Sequence, residues 1–519
     1  MAIVYKIHPA IGVARLGNHP SAFFIGPESP DARGVEIGAN GSETPVTRYK
    51  DGGRIKRQAA RFRVFKFNQD DDGNLQLVGE VTADDAKIEW KVDLCNRKGA
   101  LGQAAIDHHV PNGVDHPAQP RNDDVLDRKT LIIRNPQPVT ISGKNQAAEE
   151  FNGKFLGKSV YLGELRTDAK GRLLVLGGRG KSESPAGIEL TQFMNNKGWH
   201  DDASDGPVTA VVTFAGEQPI AVHHPSWVTV APPDFAPEIG SIVTLYDVAF
   251  QAAIEKGALS ADPKPSFRRH IKPLVERGGS LRWSNNFAKW TPMATAKMSD
   301  LANPAGDPQL RADIATRLMT THGFSRFVMP AFMKQYLNQW VAGDFIGDLN
   351  GADVPASVPD QLDRAALDAC VGNNFYPGIE ASVTLRDKDI YARPFRLDHT
   401  NLGKVYPGCL TEIMAVPWQA DFIECDEGVW WPSQRPDIAM TDANNIPGSE
   451  AEWAAPLFVL DHQGMVDHAF QLGFIVPAID NAGKQVFVEE DRDPNYPRSQ
   501  PIAVAVGPAG GKVLTAIKG

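Results

Sequence analysis

RFRVFKF (Arg61–Phe67) carries the reading of the fold. It is short and rich in Phe and Val, and reads as a strand. Three further stretches repeat the theme: KTLIIR (Lys129–Arg134), RLLVLGG (Arg172–Gly178) and TAVVTF (Thr209–Phe214). Each is short, rich in Val, Ile, Leu or Phe, and bounded by Gly, Pro, Asn or Asp. Residues 1–250 are therefore expected to form a strand-rich domain of antiparallel sheets and long loops rather than βαβ units. The basic run Arg54–Arg63 surrounds the first stretch and is read as a solvated or ion-paired strand face.

From Ala231 the text changes. Pro-rich punctuation gives way to a helix expected from near Ile242, with Leu245, Val248, Ala249 and Ala252 at helical spacing. RADIATRLMTTHGF (Arg311–Phe324) and FMKQYLNQWVAGDF (Phe332–Phe345) predict two more helices. The first is expected to stop at Gly323. LDRAALDACVG predicts another that ends at Gly372. Residues 251–519 read as a helix-containing domain with many loops that carries the active-site pocket. The expected class is α+β, a strand-rich antiparallel N-terminal half followed by a mixed helical and loop C-terminal half.

The chain has 519 residues and a formal net charge of −10. Its mildly acidic balance argues against a nucleic-acid partner, since phosphate binding needs clustered Lys and Arg. No run of about 18 apolar residues is present, so no membrane span is expected. The first residues lack a basic segment followed by an apolar one, so no signal peptide is expected. Four cysteines (Cys95, Cys370, Cys409, Cys425) without CxxC spacing suit a reduced, cytoplasmic protein.

Several motifs fail. GGRGKS (Gly177–Ser182) ends like a phosphate loop, but Val175 stands where the first glycine belongs. It is read as a turn after a buried strand. His108–His109 and His223–His224 are adjacent pairs that point apart on a strand, so no metal site is expected. GxGxxG and GxSxG are absent.

One stretch concentrates reactive residues: YPGCLTEIMAVPWQADFIECDEGVWWPSQRPD, Tyr406–Asp437. Asp421 precedes Cys425 by four residues, which in a helical turn places carboxylate and sulfur on one face. A carboxylate there can accept a proton from the thiol or from a substrate. A well-packed loop with buried aromatics and capping acids is the alternative.

KIHPAIGVARLGN, IKRQAARFRVF, RLLVLGGRGKS, PSWVTVAPPDFAP, CVGNNFYPGIE, MAVPWQADFIEC, WWPSQRP and MVDHAFQLGF together resemble the quinoprotein amino-acid oxidases that include lysine ε-oxidase and glycine oxidase. The resemblance spans nearly the whole chain. It implies a cysteine tryptophylquinone cofactor, with Cys425 as the crosslinked cysteine, Asp421 as the acid needed for crosslinking and oxygen insertion, and Cys370 close by. It further implies an amino-acid or primary-amine substrate, hydrogen peroxide and ammonia as products, a flavoprotein maturation partner and a homo-oligomer. One departure stands out. The quinone-forming tryptophan is expected three residues before the Leu of LGF, and that residue is Ala469. Trp453, Trp430 and Trp431 are the remaining candidates. The competing expectations are a quinone-free, cofactorless enzyme using Asp421, Cys425, Cys370 and His399 in specialised metabolism, and a non-catalytic binding homologue. Cys409 is read either as a small buried hydrophobe or as a partner of Cys425 or Cys370 in thiol chemistry.

Overall fold

The computed structural model describes every residue except 1, 39, 103–120, 192–194, 286–289, 321–328, 352–355, 373–380, 421–433, 447, 455–461 and 497–519. The expected α+β class is observed. Strands fill the chain from Ala2 to Ala231, and the five longest helices lie between Leu245 and Asp368.

The quoted stretch sits inside the strand Arg57–Gln69, on which the large sheet turns. It pairs antiparallel with Ala2–His8, Leu75–Val81 and Leu173–Gly177. Phe62 and Val64 face the main core, while Phe65 and Phe67 face a smaller cluster with Val4 and Leu362. Burial on both faces explains why the arginines of this strand are ion-paired rather than solvated. Arg57, wholly buried, meets Glu164 at 3.3 Å. Arg61 bonds Glu28 and Glu43, and Arg63 bonds Glu28. The sheet is not purely antiparallel. Phe23–Ile25 runs parallel to Arg57–Ala59, and Ile11–Arg15 runs parallel to Trp227–Ala231. Alternation of apolar residues marks a strand but carries no information about its direction.

The stretch KTLIIR forms a 3-10 turn, Arg128–Leu131, before the short strand Ile133–Arg134. The helix expected from Ile242 begins at Leu245, because Thr244 and Asp247 form a reciprocal capping box. The helix expected over Arg311–Phe324 spans Pro308–Met319 instead. Asp307 caps it, Pro308 opens it, and Thr320 turns extended after it; Gly323 lies outside the described residues. The helix Val358–Asp368 stops before Gly372. Gly372 is no helix cap: a Cβ on it would lie 2.1 Å from the Thr244 carbonyl oxygen. Its bareness lets the chain after the helix run against the start of Leu245–Glu255, where the Leu245 amide donates to the Cys370 carbonyl at 3.2 Å.

One apolar core runs from Tyr5 to Val488 through Trp90, Trp227, Trp340 and Trp453. Residue 250, where the sequence changes character, lies within the helix Leu245–Glu255, whose inner face is part of that core. Among the described residues no helix is long and apolar enough to cross a membrane.

A buried ion pair within the first half also holds part of the second. Lys98 and Asp201 have fully buried side chains 2.7 Å apart. The Lys98 ammonium also donates to the Ala415 carbonyl at 2.9 Å, and Asp201 accepts the Trp418 amide at 3.1 Å. Removing one member of such a pair strands a buried charge. Lys98→Met is expected to destabilise the protein by about 3–5 kcal/mol, read as a clear fall in apparent melting temperature. An unchanged melting temperature would show that the pair is not a structural tie.

Candidate functional site

The segment Met414–Ala420 leads directly into Asp421. Asp421, Cys425, Trp430 and Trp431 lie outside the described residues, so the site is defined here by what surrounds their point of entry.

That entry is held by the segment His200–Asp205, which runs into the strand Ser204–Thr213. It contains three buried aspartates: Asp201, Asp202 and Asp205. Each is satisfied differently. Asp201 faces Lys98. Asp205 accepts from the Trp227 indole at 2.9 Å, the Leu410 amide at 3.2 Å, and the Thr411 amide and hydroxyl at 2.8 and 2.7 Å. Burial raises its pKa to about 6, against the pull of these donors. Asp202 has far less. Its Oδ2 accepts the Lys181 amide at 3.0 Å, and its Oδ1 has no partner. Burial accordingly pushes it higher, to about 7. Beside it, His200 is buried with an unpartnered Nδ1, and burial lowers its pKa.

The amide over Asp202 belongs to GGRGKS, which follows the buried strand Leu173–Gly177 as a turn. This turn is stitched to the entry segment. Ser182 donates to Gln419 Oε1 at 2.7 Å, and Gln419 Nε2 donates to the Gly180 carbonyl at 3.3 Å. Gly180 has φ of +70°, and a Cβ there would lie 2.0 Å from the Phe470 ring. Phe470 in turn packs edge-on to Trp418, with centroids 5.9 Å apart. The turn, the entry segment and the 3-10 turn Ala469–Gln471 thus meet at one place.

Ala469 is fully buried there. A methyl group offers neither an indole ring to oxidise nor a carbon for a thioether, so the residue present does not fit a tryptophylquinone at this position. Trp453 is a core residue in its surroundings. It is fully buried, donates its indole N–H to the Gly473 carbonyl at 2.9 Å, and packs against Phe235 at 4.8 Å.

Cys370 and His399 occupy separate settings. Cys370 is buried just beyond the helix Val358–Asp368, with its sulfur 3.6 Å from an Arg15 guanidinium nitrogen and 3.4 Å from the Ala366 carbonyl. His399 stands edge-on to Trp227 at 5.2 Å. Burial and Arg396 lower its pKa to about 4, so at neutral pH it is uncharged and open only to accepting a proton. Cys409 is buried, and burial beside Asp205 pushes its thiol pKa far up. That setting suits a small hydrophobe rather than a nucleophile.

Sequence reasoning passed over Lys98, Asp201, Asp202 and Asp205. A signal was present. HDDASD (His200–Asp205) sets three acids immediately before an apolar strand, a place where solvated charges are not expected. Lys98, distant in sequence, gave none.

Comparison with known proteins agrees with this architecture. The family model "L-Lysine epsilon oxidase N-terminal" matches residues 8–230, and "L-lysine epsilon oxidase C-terminal domain" matches residues 325–453. L-lysine 6-oxidase of Marinomonas mediterranea is 28% identical over 539 residues, covering 81% of this chain and 71% of that protein. The crystal structure of the Schiff base intermediate of the L-Lys ε-oxidase from the same organism with L-Lys superposes with a TM-score of 0.75 at 23% identity, over 94% of this chain and 95% of that one. A second structure of that ε-lysine oxidase gives 0.73 at 23% identity, with the same coverage. With both parts of the family's architecture matched in order along one chain, this protein belongs to the L-lysine ε-oxidase family.

Proposed function

We propose that this chain is an oxidoreductase acting on the amine group of an amino acid or small primary amine. The observation that supports this most is the pinned entry segment. Lys98, Asp201 and Gln419 hold Val416–Ala420 against the sheet, immediately ahead of an aspartate and a cysteine four residues apart. In this reading Asp421 removes the proton next to the amine. Asp202, titrating near neutrality under the adjoining turn, is a reserve proton carrier that sequence reading did not identify.

Oxidative deamination to ammonia and hydrogen peroxide follows if Cys425 is joined to an indole other than position 469, with Trp453, Trp430 and Trp431 the candidates. A flavoprotein maturation partner belongs to that case. A cytoplasmic homo-oligomer belongs to the proposal as a whole. A second reading is favoured by Ala469. In it the protein works without a quinone, and Asp421, Cys425, Cys370 and His399 supply acid–base or thiol chemistry.

Intact mass and the visible spectrum separate the two. Oxygen insertion and thioether formation change the encoded mass, consume the Cys425 thiol and colour the protein. An unaltered mass, a titratable thiol at Cys425 and a colourless protein assign the second reading. Where the quinone forms, Asp421→Asn and Cys425→Ser are expected to lower amine turnover at least about 100-fold, with the melting temperature little changed. Peroxide and ammonia release across an amino-acid panel reads this out. Wild-type turnover in both variants would overturn the assignment of the pocket.

Asp202 carries a pH signature of its own. Its folded pKa is raised from 3.8 to about 7. A raised pKa means that its contribution to stability is fully present below the unfolded value and lost as pH rises through 7. Asp202→Asn is therefore expected to gain about 4 kcal/mol over wild type at pH 8.5, at about 1.4 kcal/mol per pKa unit, and only about 1.5 kcal/mol at pH 5, where the unfolded carboxyl has already ionised. Melting temperatures measured across that range test it. Parallel curves for the two proteins would exclude a buried, neutral Asp202.

A further inference from the structure

Away from the entry segment, a groove of about 490 Å³ is lined by the strand pair Ile438–Met440/Glu450–Glu452, the turn Leu281–Trp283 and the hairpin Phe474–Ile479/Gln485–Glu490. Its volume suits a small molecule. Its walls combine an apolar surface from Trp283, Met440, Ile446 and Val486 with four charged residues, Arg282, Glu450, Asp480 and Lys484, of which Lys484 is exposed at the rim.

Several arginines sunk into this molecule are matched with acids, as Arg57 is with Glu164, Arg61 with Glu28 and Arg492 with Glu489. Others, such as Arg311 and Arg396, donate to backbone carbonyls instead. Among the described residues Arg282 meets neither kind of partner. The Arg282 guanidinium lies over its neighbouring Trp283 ring, 4.5 Å from the centroid, and its buried Nε has no hydrogen-bond partner. Burial lowers its pKa, and no nearby carboxylate acts to raise it. Among the described residues the Glu450 carboxylate also makes no hydrogen bond or ion pair. Arg282 and Glu450 do not pair with each other either, although they line the same groove. The other acid there, Asp480, is committed to its own turn, where it accepts the Ala482 and Lys484 amides at 2.9 and 2.8 Å. Two separated and unsatisfied opposite charges flanking an apolar floor are complementary to a molecule that carries both charges and an apolar group. Half-buried charges of this kind cost stability unless something answers them.

The geometry points to a binding site for a free α-amino acid with an apolar side chain, its carboxylate on Arg282, its ammonium on Glu450 and its side chain against Trp283, Met440 and Ile446. Arginine suits the first role, because its planar fork meets both carboxylate oxygens. None of the residues lining the groove belongs to the entry segment, to His200–Asp205 or to the Ala469–Gln471 turn, and the inference does not depend on the assignment proposed above. The two regions are nevertheless linked along the chain. Ile438–Met440 follows closely on the segment that enters at Asp421, and Glu450–Glu452 ends beside Trp453.

Calorimetric titration of the full chain with L-leucine, 4-methylpentanoate and 3-methylbutylamine tests the site. L-leucine is expected to bind, and each single-charge analogue to bind at least about tenfold more weakly, as loss of a charge-assisted hydrogen bond implies. Arg282→Gln and Glu450→Gln are each expected to weaken leucine binding by a similar factor, with melting temperatures near wild type. If leucine also enters the catalytic pocket, the isotherm shows two events, and the variants abolish one of them. Leucine binding that is unaltered in both variants, or absent from the wild type, would overturn the proposal.

Discussion

The wholly buried pair of Lys98 and Asp201 is the constraint on which the C-terminal half depends. An ammonium and a carboxylate removed from water cost several kcal/mol each, and their attraction offsets this only when every remaining donor and acceptor is also met. Here they are. Lys98 turns a second N–H bond to the Ala415 carbonyl, while Asp201 accepts the Trp418 amide and the Asn96 side chain. A chain segment with little regular structure of its own, Val405–Ala420, is thereby fixed to the sheet at defined atoms. Asp205 repeats the device four residues on without a cation, using an indole, two amides and a hydroxyl. Such a loop cannot shift by an ångström without stranding a buried charge. That rigidity is what a reactive segment beginning at Asp421 needs from its anchor.

The same segment shows how far local sequence can be read. Strands such as Arg57–Gln69 and Leu173–Gly177 were legible because short runs rich in Val, Leu and Phe, bounded by turn residues, are a local signal. The parallel pairing of Ile11–Arg15 with Ser226–Ala231 was not, since it joins residues more than two hundred positions apart. Helix existence was legible and helix ends less so. Capping by Thr244 and Asp307 moved two starts, and the end near Gly372 was misplaced because that glycine serves a backbone contact with Thr244 rather than a cap. At the site the chemistry-bearing residues after Ala420 were legible by type. The platform that holds them was not, because Lys98 is distant in sequence and the acids of HDDASD, though oddly placed beside an apolar strand, do not show what they meet.

Ala469 and Phe470 set the remaining constraint, and it is one of volume. In a close-packed interior, loss of a large ring leaves a cavity unless neighbours fill it. Here the adjacent Phe470 reaches the backbone of Gly180 so closely that only glycine can stand there, and its ring meets Trp418. The turn GGRGKS, Phe470 and the entry segment are therefore a matched set. Any residue larger than glycine at 180 would displace Phe470, and with it the contact that seats Trp418. Position 469, beside that set, is itself fully buried. A larger side chain there would need room made for it in a close-packed interior, at the cost in strain that overpacking brings.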